Sequence, residues 1–371
     1  MVKPMFMLVP VIGALASLSA NGQTMESQKV SIDATTKFSG DFRYRHERID
    51  DDSKSVSRIR DRLRLRLRAD AKVSDEVSVV ARLATGDQSA SSTNENLDGG
   101  FSTKGAWLDL AYIQYKPADL NLTALAGKTV NPFIRVGESQ LIWDNDVNPE
   151  GVSVGYALGG EGLNLAATAA YYSVNELSDT ADDVSLQAGQ LALGYKTELF
   201  KVTVGTSVYA YQNIKDTPSV EANPRFLGNL SLQAGETKVY ANDYELQNAF
   251  AEVSLTSIPV AVFYDTVLNK KVGENNRGWL AGLSVGSGKG SIPVKLAYNY
   301  RVLEKEAVLG NFSDSDFVGG GTDGRGHTVA LEYGVTDTIK IAYTQSITEK
   351  SPDSETTTDY NRGMADISVK F

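Results

Sequence analysis

Residues 59–73 read I-R-D-R-L-R-L-R-L-R-A-D-A-K-V. Arg60, Arg62, Arg64, Arg66 and Arg68 share one parity, and Leu63, Leu65, Leu67, Ala69, Ala71 and Val73 share the other. Side chains alternate faces along a β-strand, so this segment presents one apolar wall and one densely cationic wall. As a helix it would point Leu65 away from Leu63 and Leu67 and form no apolar stripe. The segment is a strand.

Three settings suit such a strand. In a soluble sandwich the leucines would be core and the arginines surface. In a transmembrane barrel the leucines would face lipid and the arginines a water-filled lumen; the reverse orientation would cost about 2–4 kcal/mol for each arginine at mid-membrane. A nucleic-acid platform would need aromatic residues interleaved with the basic ones, and it conflicts with a formal net charge of −10.

The sequence to either side decides. Met1 to Gly22 has the layout of a secretory signal, with Lys3, an apolar run from Met5 to Leu18, then small residues. Cleavage after Ala20-Asn21-Gly22 or after Ala14-Leu15-Ala16 fits the small-residue pattern, leaving 23–371 as one domain. Without Lys3 the charge becomes −11, 35 basic residues against 46 acidic. The 371 residues include no Cys, 33 Gly and 17 Tyr, and mean hydropathy is −0.22. No later stretch approaches 18 apolar residues, which excludes membrane helices but not barrel strands, whose segments are only half apolar.

From Ala34 onward, alternating segments recur to Phe371. Short connections such as Ser74-Asp75, Pro117-Ala118-Asp119, Gly159-Gly160, Thr197-Glu198-Leu199 and Thr336-Asp337 take turns with longer polar loops such as 86–105, 131–149 and 304–324. This rhythm predicts an all-β transmembrane antiparallel up-and-down barrel of about 16 strands, with short periplasmic turns and long extracellular loops. A hairpin within 213–243 would raise the count to 18. Sandwich topologies give no reason for such alternation. Tyrosines toward strand ends suit the interfacial girdle of a barrel. In the final segment Gly363, Ala365, Ile367, Val369 and Phe371 share a parity, and a terminal aromatic on such a strand resembles the signal read by the bacterial barrel-assembly machinery.

The arginine strand together with L-A-Y-I-Q-Y-K-P (110–117), G-K-T-V-N-P-F (127–133), W-D-N-D-V-N-P-E-G (143–151) and D-S-D-F-V-G-G-G-T-D-G-R-G-H (314–327) resembles the bacterial “putative porin” family over nearly the whole chain after residue 22. The resemblance implies a water-filled outer-membrane channel for small hydrophilic solutes and ions, set in lipid and lipopolysaccharide and usually homotrimeric. It also implies that the third long loop, 131–149, folds inward. That loop carries Arg135, Glu138, Asp144 and Asp146 and leads into Glu150. Opposite it the barrel would set Arg60, Arg62, Arg64, Arg66 and Arg68, with Arg82 on the next strand. A basic wall facing an acidic loop would create a transverse field across a constriction.

Other chemistry finds little purchase. Gly319-Gly320-Gly321 lacks the helix and Lys-Ser/Thr of a phosphate loop. Asp50–Asp52, Asp179–Asp183 and Asp314–Asp316 lack EF-hand spacing and read as a solvated acidic rim. His46 and His327 sit in no catalytic motif, so no enzyme, cofactor or metal is expected. A substrate-selective channel of the same fold and a plugged, non-conducting barrel are the alternatives; charged residues of lumen parity, among them Lys201, Glu252, Asp265, Lys295, Arg301, Lys340, Arg362 and Asp366, count against a plug.

Overall fold

The computed structural model describes residues 36–371 except 161, 179–182, 222 and 353–355, so the expected signal segment and most of Asp179–Asp183 lie outside the described residues. Sixteen antiparallel strands form the wall. They are β1 (Thr36–Asp51), β2 (Arg58–Lys72), β3 (Val77–Thr85), β4 (Ala106–Tyr115), β5 (Leu122–Lys128), β6 (Glu150–Gly159), β7 (Leu163–Asn175) and β8 (Val184–Lys196), followed by β9 (Phe200–Gln212), β10 (Glu245–Leu255), β11 (Val260–Asn269), β12 (Arg277–Gly286), β13 (Val294–Leu303), β14 (Gly324–Gly334), β15 (Ile339–Lys350) and β16 (Thr358–Lys370). Each pairs with its sequence neighbour, and β1 closes the barrel on β16 from Asp41↔Lys370 to Asp51↔Tyr360. Closure leaves no open edge, which a membrane-spanning sheet requires.

The two-residue segment Glu95–Asn96 adds to β2 above the shorter β3. A hairpin does form within 213–243, Ser231–Ala234 against Thr237–Tyr240, but it is a separate two-stranded sheet and not part of the wall. The barrel therefore has sixteen wall strands rather than eighteen.

The period-2 pattern of each strand sorts its residues onto two faces. Leu67, Leu83, Ile113, Leu193, Val262 and Leu331 stand exposed on the outer face. Tyr115, Tyr156, Tyr195 and Tyr333 are exposed near the short-turn ends of their strands. Phe371 exchanges both backbone hydrogen bonds with Gly40, and its ring is exposed at that same end. His46 and His327 share the outward parity, His46 beside Asp61 and His327 beside Tyr298.

Inside, the surface divides. Along β7 to β13 the inward positions include Tyr172, Leu186, Tyr209, Phe250, Phe263, Val267, Leu280 and Leu303, and they form one apolar cluster with Phe133, Leu141, Trp143, Leu309 and Phe317 from two loops. Along β16, β1 and β2 the inward positions are charged.

Candidate functional site

The inner charges follow from register. Arg43 lies opposite Arg64, and Arg45 opposite Arg62, while Asp41 faces Arg66 and Glu47 faces Arg60. Like charges opposed across a ladder repel, so this arrangement needs carboxylates threaded between the guanidinium groups. Asp41 accepts from Arg64 at 2.8 Å and from Arg66 at 2.7 Å. Glu47, fully buried, accepts from Arg60 and Arg362. Asp366 on β16 takes both arms of the Arg45 fork at 2.7 and 2.8 Å, the bidentate geometry that makes such pairs strong. Arg68 pairs with Asp70 of its own strand at 2.6 Å, and Arg82 with Asp109 at 2.5 Å. The five arginines of β2 thus share the inward parity with Arg82, and they are joined there by Arg43, Arg45 and Arg362.

The loop 129–149 joins β5 to β6. Its two ends leave the sheet at Gly127 and Gly151, which are register partners. Both hold positive φ, +125° and +147°, and a Cβ on either would fall 2.3 Å from a neighbouring carbonyl oxygen. Only glycine fits this exit. The loop then fastens to inward side chains of the wall. Ile134 donates its N–H to Gln190 of β8 at 2.7 Å and accepts from the same amide at 3.1 Å. The N–H of Gly137 reaches Glu252 of β10 at 2.8 Å, and the Ser139 hydroxyl reaches Asp265 of β11 at 2.5 Å. Gly137 itself has φ +54°, and a Cβ there would fall 2.4 Å from the Phe263 ring.

Apolar contacts complete the docking. Phe133 meets Tyr209 edge-on with ring centroids 5.1 Å apart, and Trp143 stacks on Phe312 at 5.9 Å. Phe312 belongs to the loop 304–323, which packs within the same cluster and carries Asp314 to Arg301 at 2.9 Å and Asp316 to Arg45 at 3.0 Å and Arg362 at 2.8 Å. Two loops therefore reach lumen-facing residues.

The acids read from the sequence separate. Asp146 reaches the arginines, 3.4 Å from Arg66 and 4.0 Å from Arg64, and its other oxygen accepts from the N–H and hydroxyl of Thr93, both at 3.0 Å. Asp144, two residues away, turns to the 304–323 loop and accepts from the N–H of Ser315 at 2.8 Å. Burial pushes the Asp144 carboxyl well above the usual carboxylate range, and the charges of Asp314 and Asp146 push it the same way. Burial opposes ionisation at Asp316 as well, but Arg362, Arg45 and Arg43 outweigh it and hold that carboxyl well below its usual range. Arg135 spans its own loop to the Trp143 carbonyl at 2.9 Å. Glu138 is exposed at a positive φ of 57°. Glu150 differs from expectation: it opens β6 on the outward parity of Val152 and Tyr156 and pairs with Lys128 at 2.7 Å. It is not a lumen acid.

Sequence reading does not single out Arg43 and Arg45, and it takes Asp314–Asp316 of the loop 304–323 for a solvated acidic rim, whereas Asp314 pairs with Arg301 and Asp316 with Arg45 and Arg362. The first two alternate with Phe42 and Tyr44 in plain view. The loop announces itself by Ala307-Val308-Leu309, Phe312 and Phe317-Val318, too many apolar residues for a segment left in solvent.

The family model described as “Putative porin” matches residues 50–245 and 229–371. No curated protein matches the sequence. Among solved structures, the chain is similar to the high-pH structure of Pseudomonas putida OprB, with a TM-score of 0.59, 12% identity and coverage of 91% of this chain and 94% of that chain. Salmonella typhi OmpF in complex with daunomycin gives 0.56, 12%, 91% and 97%. The outer membrane protein OmpT of Vibrio cholerae in its trimer form gives 0.52, 14%, 91% and 99%. At such identities the likeness shows a shared fold.

Proposed function

The chain belongs to the “Putative porin” family of bacterial outer-membrane channels, and from that premise we propose a water-filled diffusion pore for small hydrophilic solutes and ions, narrowed where the loop 129–149 faces the arginine wall. The observation that carries this reading is the span of the loop. It is fastened to β8, β10 and β11 and extends Asp146 to Arg66 on β2. Strands β2 and β10 stand eight apart in a sixteen-strand barrel, on opposite sides of the lumen, so a segment touching both supports a constriction between them.

The electrostatics of that constriction set the selectivity. Fields of rim charges decay over about 8–10 Å at physiological salt, whereas charges on close walls with little water between them act at full reach. The acidic balance of the whole chain therefore does not decide the sign. Arg43, Arg45, Arg60, Arg62, Arg64, Arg66, Arg68, Arg82 and Arg362 face seven carboxylates, Asp41, Glu47, Asp70, Asp109, Asp146, Asp316 and Asp366. Nine positive against seven negative groups gives a weak lean toward anions, fading in high salt.

The trimer form of OmpT supports three barrels side by side here too, and the outward Phe371 at the strand end supports its role as an assembly signal. Conductance of the purified protein in a planar bilayer tests the pore, and the reversal potential in a KCl gradient tests its sign. Neutralising Arg62, Arg64 and Arg66 together should move that potential toward cations and raise conductance. Unchanged values for both would remove the arginine wall from the constriction.

A further inference from the structure

Pair by pair, the nine arginines do not share their two excess charges evenly. Asp41 and Asp146 answer Arg64 and Arg66. Asp70 answers Arg68, and Asp109 answers Arg82. Asp366, Glu47 and Asp316 answer Arg45, Arg60 and Arg362. Arg43 and Arg62 remain. Arg43 comes no closer than 3.9 Å to Asp366, both of whose oxygens are held by Arg45. Arg62 comes no closer than 4.0 Å to Glu47, both of whose oxygens are held by Arg60 and Arg362.

Both leftover arginines converge on one neutral residue. Arg43 donates to the Asn94 side-chain oxygen at 2.5 Å, and Arg62 donates to the Asn94 backbone carbonyl at 3.3 Å. Among the described residues the Nε of each is buried with no partner, and Arg62 is only 8% exposed. Buried donors on charged groups without acceptors are costly, so such nitrogens call for an acceptor with charge. Asn94 is placed there by the short segment Glu95–Asn96 that extends the sheet beside β2, with Asn96 opposite Arg62. Two guanidinium groups from adjacent strands thus lie together without a carboxylate oxygen of their own, their side chains 14% and 10% exposed.

We infer that Arg43, Arg62 and Asn94 form a binding station for a small doubly charged oxyanion, phosphate being the simplest, through which the pore retains such solutes longer than chloride. Guanidinium forks match the oxygen spacing of phosphate and carboxylate. This rests on the channel reading above and deepens it by naming the class of solute that the channel holds.

The test is current through single channels in KCl to which inorganic phosphate in its dianionic form is added at constant ionic strength, with acetate as the singly charged comparison. Phosphate should depress the chloride current and acetate should do so far less. Asn94→Asp keeps the shape of the residue and supplies the missing counter-charge in place, so it should raise the half-blocking phosphate concentration about tenfold or more. The double variant R43Q/R62Q should do the same, and heat-modifiability on SDS gels shows that each variant has assembled. An anion-leaning pore with no phosphate block, or a block untouched by both variants, overturns the station and leaves the channel reading standing. Absence of any conductance overturns the channel reading and the station with it.

Discussion

On β16, β1 and β2 the barrel's inner surface is a lattice of arginines and carboxylates, while on β7 to β13 it is tyrosine, leucine and phenylalanine. The first is held by directional ion pairs, with Glu47, Arg45 and Arg362 buried among them. The second packs two loops as a soluble protein packs its core. The loop 129–149 belongs to both: Trp143 is sunk in the apolar side, whereas Asp146 faces the arginines. On the proposed channel reading, the greasy half anchors the loop and the charged half leaves solutes a polar path.

The sharpest way to break this division is to empty the apolar half. Trp143 is 3% exposed, between Tyr209 and Phe312, and Trp143→Ala should cost about 3–5 kcal/mol of packing. The expected outcome is a lower heat-modification temperature together with larger, noisier single-channel currents, because the loop loses its anchor. Unaltered currents would mean that the loop is held by its hydrogen bonds alone.

Next in size is a comparison of faces within one strand. Leu65→Arg places a charge on the outer face and should cost about 2–4 kcal/mol if it lies near mid-membrane, lowering assembled yield. Arg64→Leu, one residue away on the inner face, should assemble far better, although it frees one arm of Asp41. Equal defects would show that the faces have been exchanged.

These expectations rest on features that differ in how legible they were. Alternation in 59–73 announces both faces of β2 because strand parity is a local property, and the same rule recovered all sixteen wall strands. What parity cannot convey is closure. That Arg362, over three hundred residues away, shares Glu47 with Arg60 depends on β16 meeting β1. Loops are less legible still. Asp144 and Asp146 look alike in sequence, yet a turn of backbone sends one to Ser315 and the other to Arg66. Glu150 was misjudged because its position one residue beyond the loop fixes it to the strand's outward parity, where Lys128 is its partner.

A gentler change sharpens the charged side. Asp146 is the loop's contribution to the arginine lattice, and Asp146→Asn removes one negative charge while keeping an acceptor for Thr93. Stability should fall by about 1–3 kcal/mol, since the pair is largely buried, the Arg66 and Asp146 side chains being 20% and 10% exposed. The reversal potential should move toward anions, opposite in sign to the triple arginine variant. A shift toward cations would mean that Asp146 does not act on the ion path.

The smallest effect distinguishes the two loop acids by pH. Asp144 is buried between the two loops, and its carboxyl is held well above the ordinary range by burial and by Asp314 and Asp146. A group whose folded-state pKa is raised binds its proton more tightly in the folded protein than in the unfolded chain. Its contribution is flat below the ordinary aspartate value of about 3.9. Above that, stability falls as pH rises, by at most about 1.4 kcal/mol per pH unit, until the raised value is passed. The N–H groups of Ser315 and Asp146, each 2.8 Å away, favour the charged form and limit the fall. Asp144→Asn cannot titrate, so heat-modification temperatures of wild type and variant, followed from acid to neutral pH, should differ by an amount that changes over this window. The wild type should lose ground to the variant as pH rises. Parallel curves would mean that Asp144 stays charged between the loops, and that the apolar half tolerates a carboxylate as readily as the arginine half does.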